Sequence, residues 1–232
     1  MKTKVLFGAA GLLMGSFLTA QAGPSDDVKS AAQKLGDESS YSWHTTTVVP
    51  ESSRYKPGPM DGKIEKGGMT YIKMTFGDNT TEVYMSGTNA VLTNPDDGGW
   101  QKLSEMDTSQ GPGRMMGGMV RNFKSPATQA ADLVANCADL QMTNGAYASA
   151  LTEAGAKQLM MFRRGGNANI SNPSGTAMFW IKDGELTKYE THVKGTASFN
   201  GNDIDIDRDT TVEFKDIGST KINVPDEVKK KL

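Results

Sequence analysis

Apolar and polar positions alternate most clearly between Ala177 and Phe214, where Asp183-Gly184 and Asn200-Gly201 divide the chain into three runs. Such dipeptides between β-prone runs mark two-residue hairpins, because type I′ turns need φ > 0 at both central residues. The pattern predicts a three-stranded antiparallel meander. A two-residue loop at Asn200-Gly201 sets Phe199 against Asn202. Lys194 then faces Asp207, His192 faces Asp209 and Lys188 faces Glu213, while on the other side Ala197 meets Ile204 and Tyr189 meets Val212. A slip of one residue would swap the two faces. Opposite charges across a ladder contribute roughly 0.2–1 kcal/mol each, so the charges favour this register. In the first run Phe179 and Ile181 point one way and Met178 and Trp180 the other. Both faces are apolar there, and both call for cover.

Upstream, Tyr41 to Thr93 reads as a second meander. Tyr41 to Val49 is rich in Tyr, Trp, Thr and Val, and a polar, proline-bearing loop follows from Pro50 to Gly62. Met69 to Phe76, Thr80 to Met85 and Asn89 to Thr93 are short runs separated by Gly-containing turns. Helical periodicity occurs three times. Val28, Ala31, Ala32 and Leu35 make one stripe behind Ser25 as cap, ended by Gly36 and expected to pack on a rim. Ser125-Pro126 opens a second helix with Ala130, Leu133, Val134 and Cys137 on one face. Thr152 caps a third, with Ala156, Leu159, Met160 and Phe162 apolar. Tyr147 to Leu151 reads as a strand, Gly165 to Gly175 as a polar loop, and Lys221 to Val224 as a last edge strand. Ser104 to Phe123 fits none of these patterns. It holds Gly111, Gly113, Gly117, Gly118 and four methionines, the composition of a flexible lid.

Residues 1–22 change the picture of compartment. Lys2 and Lys4 precede a mostly apolar, uncharged run, and Ala20-Gln21-Ala22 is a small-x-small cleavage site before Gly23. That is the layout of a secretory signal peptide. A membrane span needs ~20 apolar residues. The expectation is therefore a single soluble domain, residues 23–232, periplasmic or secreted, with no stable membrane anchor. The formal net charge is −2 and becomes more negative without the leader's two lysines. Such a balance disfavours nucleic acid as a partner. Cys137 is the only cysteine, so no internal disulfide forms. On its stripe it reads as a buried small hydrophobe.

Motifs that carry chemistry are sparse. His44 and His192 sit in strand runs without the helical i, i+4 pairing of a zinc motif. Asp203, Asp205, Asp207 and Asp209 alternate along one strand, which spreads their carboxylates ~6.6 Å apart, whereas a calcium loop gathers them around one ion. They read as a solvated face paired in part with Lys194 and His192. The glycine-rich segment lacks the Lys-Ser/Thr of a phosphate loop, its methionines have no nearby His to complete a copper site, and no G-x-S-x-G elbow occurs. No catalytic residue, metal ligand or cofactor is assigned, and the chain is read as a non-enzyme.

Ser39 to Trp43 (S-S-Y-S-W), Asp97 to Trp100 (D-G-G-W), Phe179 to Glu190 (F-W-I-K-D-G-E-L-T-K-Y-E) and Val212 to Pro225 carry a pattern. It resembles that of the periplasmic lipoprotein-carrier superfamily, which includes the mycobacterial lipid-transfer lipoproteins. The residues themselves indicate an α+β domain with a curved antiparallel sheet, and with the resemblance the expected fold is a strongly curved antiparallel sheet with helices on its concave side. The resemblance implies an unclosed β half-barrel that holds acyl chains. The expected function is a soluble exported carrier or binder of an apolar, acyl-chain or lipid-like ligand. The alternative is a non-catalytic structural or interaction module of the cell envelope with a filled core and an envelope protein as partner. The ligand-binding residues expected to converge on the concave side are Met115, Met116, Met119, Met160, Met161, Phe162 and Trp180.

Overall fold

The computed structural model describes residues 23–53, 56–77, 79–94, 98–109, 111–161, 169–199 and 201–232. The signal-peptide expectation falls on residues 1–22, outside them. Eleven strands among the described residues form one antiparallel sheet, and its path explains the architecture. Strand β1 (Ser40–Val48) lies in the middle. The chain walks outward through β2 (Met60–Glu65), β3 (Met69–Phe76), β4 (Asn79–Ser86), β5 (Asn89–Thr93) and β6 (Trp100–Lys102) to one edge. It crosses over through a 3₁₀ turn (Leu103–Glu105), α2 (Gly111–Arg121) and α3 (Pro126–Val134) to the opposite edge, β7 (Gln141–Thr143). It then returns through β8 (Ala146–Ala150), helix α4 (Glu153–Met160), β9 (Asn169–Lys182), β10 (Glu185–Phe199) and β11 (Asn202–Lys215), and β11 pairs with β1. The sheet does not close, since β6 and β7 remain edges. With helices laid over one face, this is an α+β unclosed half-barrel.

The C-terminal meander has the expected register: Phe199–Asn202, Lys194–Asp207, His192–Asp209 and Lys188–Glu213 pair, as do Ala197–Ile204 and Tyr189–Val212. Asp183 and Gly184 both have positive φ, as the turn type requires. The side chains follow this register in part. His192 Nδ1 lies 2.7 Å from Asp209, while Lys188 Nζ donates to Glu190 at 3.0 Å. Lys188 also lies 3.7 Å from the centre of the Trp180 ring. The outer cover of β9 is therefore a lysine ammonium over an indole, whereas the inner cover is the protein core.

Five elements depart from the sequence expectation. Helix α1 (Pro24–Asp37) is capped at Gly23 rather than Ser25: Pro24 takes the first turn, where its missing N–H costs nothing, and Asp26 reaches back to the Gly23 amide. It also packs centrally, on α3 and on β9 and β10, with Val28 and Leu35 fully buried. The strand Met60–Glu65 begins inside the loop expected over Pro50 to Gly62. Gly62 faces Trp43 across the ladder, and a Cβ there would stand 2.0 Å from the indole. The glycine makes room for the ring of the next strand. Strand β9 begins at Asn169, with a bulge facing Lys194–Thr196 and Asn172 at φ 51°. The glycine- and methionine-rich segment is helical over α2 rather than irregular. Lys221 to Val224 forms no strand: Glu65 Oε1 holds the Ile222 amide at 2.9 Å, and the chain ends in α5 (Asp226–Lys229).

Both faces of the sheet carry apolar clusters. The main one lies between the inner face and α1, α2, α3 and α4. A smaller one lies on the outer face of β3–β6, where Tyr84, Val91 and Trp100 are roofed by Val228, Val224 and Leu232 of the C-terminal segment. Among the described residues no helix is long and apolar enough to cross a membrane.

Candidate functional site

The inner face is organised by a file of aromatic rings across four adjacent strands. Trp43 and Tyr41 of β1 have centroids 6.0 Å apart, Tyr41 and Phe214 of β11 5.7 Å, Phe214 and Tyr189 of β10 6.1 Å, and Tyr189 and Phe179 of β9 6.4 Å. Ring centroids 4.5–7 Å apart are favourable aromatic contacts. Burial pushes the phenols of Tyr41 and Tyr189 above their ordinary pKa, so both stay neutral. Sequence reading missed this file, because only the pairing of β1 with β11 brings Tyr41 and Trp43 beside Phe214. Each residue is separately visible as a strand aromatic, and no sequence signal joins the two meanders.

The six expected ligand-binding residues that the structure describes divide into three groups. Met116, Met119 and Met160 belong to the same core cluster as the aromatic file. Met160 ends α4 and lies over Gly195 of β10, where a Cβ would come within 2.6 Å of its Cε. Met115 and Met161 are about half exposed and point away from that cluster. Trp180 stands on the outer face under Lys188; its neighbour Phe179, with no exposure, is the inward aromatic of β9. Alternation makes Phe179 and Trp180 opposite in facing, and the sequence alone does not say which is inward. Phe162 lies outside the described residues.

Helix α2 is the unusual component of the cover. Four of its eleven residues are glycine, and each glycine in a helix interior costs roughly 1 kcal/mol against alanine. Its principal neighbour is the adjoining 3₁₀ turn, whereas α1 and α4 are seated on the long strands. Yet it drives Met116 and Val120 into the main cluster, both nearly fully buried. A helix weak in itself is thus pinned over the inner face by adaptable thioether and aliphatic side chains.

Polar groups elsewhere are engaged in structural roles. His44 Nδ1 lies 2.6 Å from Asp61, on the outer face. Of the acidic row on β11, Asp203 accepts from Ser198, Asp205 from Thr196, and Asp207 and Asp209 flank His192. No cluster of three or more metal-ligating side chains occurs among the described residues. Cys137 lies beyond the end of α3, half-buried, bridged to Leu151 rather than on the helix stripe. Burial pushes its thiol up to about 11.

Two cavities adjoin the centre of the sheet. One, of about 280 Å³, is lined by Trp43, His44, Asp61 and Tyr71. The other, of about 190 Å³, lies at the rim of the inner face among Tyr41, Ile64, Gly68, Thr70 and Ser125.

A comparison of the sequence with protein-family models finds no match, and one with curated proteins finds none. Solved structures do resemble the chain. The lipoprotein LppX of Mycobacterium tuberculosis is similar over 87% of this chain and 98% of its own, with 12% identity and a TM-score of 0.48. LprF of Mycobacterium bovis is similar over 88% and 97%, with 9% identity and a TM-score of 0.49. A LolA superfamily protein from Nitrosomonas europaea is similar over 90% and 97%, with 9% identity and a TM-score of 0.32.

Proposed function

We propose that this protein is an exported, non-catalytic carrier or binder of an apolar, acyl-chain-like ligand, held between the inner face of the half-barrel and α2. The observation that carries the reading is α2 itself: a glycine-rich helix of low intrinsic stability, seated on the core chiefly through Met116, Met119 and Val120. Moving such a helix breaks few backbone interactions and uncovers an apolar surface that methionines can reshape around a chain. In this form the space is occupied by the protein's own side chains, so ligand entry displaces α2. Met116, Met119 and Met160 would contact the ligand first. Met115 and Met161, exposed beside them, would serve at the mouth; Trp180, on the opposite face of β9 from Phe179, would not contact the ligand directly.

The test is a titration of delipidated protein with a fluorescent fatty acid, repeated with Met116→Ala and Met119→Ala. Saturable binding in the parent, weakened at least severalfold in both folded variants, supports the reading. Absence of saturable binding in the parent ends it.

The second reading is an envelope interaction module with a filled core. It is favoured by the full burial of Phe179, Leu186, Val193 and Met160 on the inner face, which leaves the middle of the sheet packed. Under it the parent binds no fatty acid, and cross-linking in the periplasm recovers a protein partner.

A further inference from the structure

Side chains of a strand alternate between faces, so the register assigns each strand residue to the inner or the outer side of the sheet. Tyr189, Val193 and Val212 belong to the main core and fix the inner side, and Arg208 pairs with Val193. Arg208 therefore points inward, while Asp207 and Asp209 on either side of it point outward. Carried from β6 to β7, the same alternation turns no other charged strand residue inward among the described residues. Arg208 Nη2 donates to the Leu159 carbonyl at 2.7 Å, at the end of α4. A helix C-terminus carries about half a negative charge, which suits an arginine. The guanidinium nevertheless brings a full positive charge and a planar fork of five N–H donors, and one carbonyl occupies one of them.

The position is open to solvent. Arg208 is only partly buried. Thr191, Thr210 and Thr47 pair in one row across β10, β11 and β1; they face inward and are partly buried as well. Their hydroxyls can donate beside the guanidinium. On the other side the surface turns apolar. Ile206, the next inward residue of β11, pairs with Gly195, over which the buried Met160 lies. Met161, about half exposed, follows it. An apolar floor thus ends at a cation where the inner face meets water. A hydrocarbon chain with an acid at one end has the same order of properties. The fork of an arginine matches carboxylate or phosphate oxygens two at a time. A cationic head would be repelled, and an uncharged one would gain one ordinary hydrogen bond.

We infer that Arg208, with the threonine row beside it, receives the anionic headgroup of an acyl ligand, a carboxylate or a phosphate, whose chain runs along the inner face past Met160. This inference rests on the carrier reading above and adds to it the charge of the ligand and the direction in which it lies.

The experiment titrates ¹⁵N-labelled, delipidated protein at neutral pH with decanoate, decyl phosphate and decanol, which share a chain length and differ in the head. The parent is compared with Arg208→Gln, which removes the charge and keeps a donor for the Leu159 carbonyl, and with Arg208→Lys, which keeps the charge and loses the fork. Amide spectra verify the fold of each. The expected result is that the parent binds at least one of the two anions about tenfold or more tighter than decanol, the worth of a hydrogen bond to a charged group. That preference should fall to about twofold or less in Arg208→Gln and survive in part in Arg208→Lys, with decanol affinity unchanged in both. The tighter of the two anions identifies the head as carboxylate or phosphate. In the parent alone, the Arg208 Nε–H signal should shift on saturation with the preferred anion, a readout that needs no variant. Equal binding of decanol and both anions, a preference that persists in Arg208→Gln, or an unmoved Arg208 Nε–H signal overturns the headgroup site and leaves the carrier reading intact. Absence of saturable binding by all three probes overturns both.

Discussion

Ile204 and Ile206 stand two residues apart on the same face of β11, yet one is 49% exposed and the other 7%. Ile206 pairs with Gly195, over which Met160 lies, whereas Ile204 lies nearer the tip of the hairpin. Ile206→Asp would bury a carboxylate without a partner, and the expected loss is about 2 kcal/mol or more. Ile204→Asp should stay within about 0.5 kcal/mol. Urea unfolding of the two variants checks this, and similar midpoints would contradict the assigned depth of Ile206. Cys137 gives a pH dependence. Its folded thiol titrates at about 11 against an ordinary 9.0 because burial disfavours the thiolate. The stabilisation is fully present below pH 9 and is lost as pH rises towards 11. Cys137→Ser should flatten that alkaline decline, measured as thermal midpoint between pH 8 and 11. In the parent, iodoacetamide should react slowly at pH 8, since the thiolate is the nucleophile.

At the scale of elements, α2 offers the most direct test. A Cβ at Gly118 meets nothing within 4 Å, so Gly118→Ala should stabilise the helix by up to ~1 kcal/mol. If α2 must move for ligand to enter, the same change should slow uptake, read by stopped-flow fluorescence. Faster uptake would contradict the gating role. This helix also shows where sequence reading fails. Its glycines argue against helix, and burial of Met116 and Val120 overrides them. Strand β2 was hidden for a related reason: Gly62 reads as a breaker, while its missing side chain is replaced by the Trp43 ring from the neighbouring strand. The polar opening of β9, with Pro173 within it, resembles a loop because few of its side chains reach the core. The C-terminal hairpins were legible from Ala177 onward, since Asp183-Gly184 and the charge pairs encode turn and register locally. Of the candidate site, the methionines of α2 and Met160 were visible as an apolar group. The inward choice of Phe179 over Trp180 was not, because it depends on which face the helices cover.

The whole molecule has two covers. Helices roof the inner face, and the C-terminal segment roofs Tyr84, Val91 and Trp100 on the outer one. Deleting residues 226–232 removes the fully buried Val228, a loss of about 1.5–3 kcal/mol for that side chain alone. A lowered thermal midpoint with increased binding of a hydrophobic dye is the expected outcome; an unchanged midpoint would mean that the segment covers without stabilising. The inner-face packing of the ligand-free form should survive this truncation, because the two clusters lie on opposite sides of the sheet. The pairing of β1 with β11 has a different kind of consequence. Ser42 Oγ bonds the Lys215 carbonyl across 173 positions of sequence, and the central seam of the sheet joins the first strand to the last. Contacts so distant along the chain slow folding, since the loop they close must be gathered before it is rewarded. A chain delivered from its N-terminus completes β1 early and then holds one side of it unpaired until the final strand arrives. Synthesis would thus be followed by a late closing step, in which the seam forms and the two halves of the sheet become one.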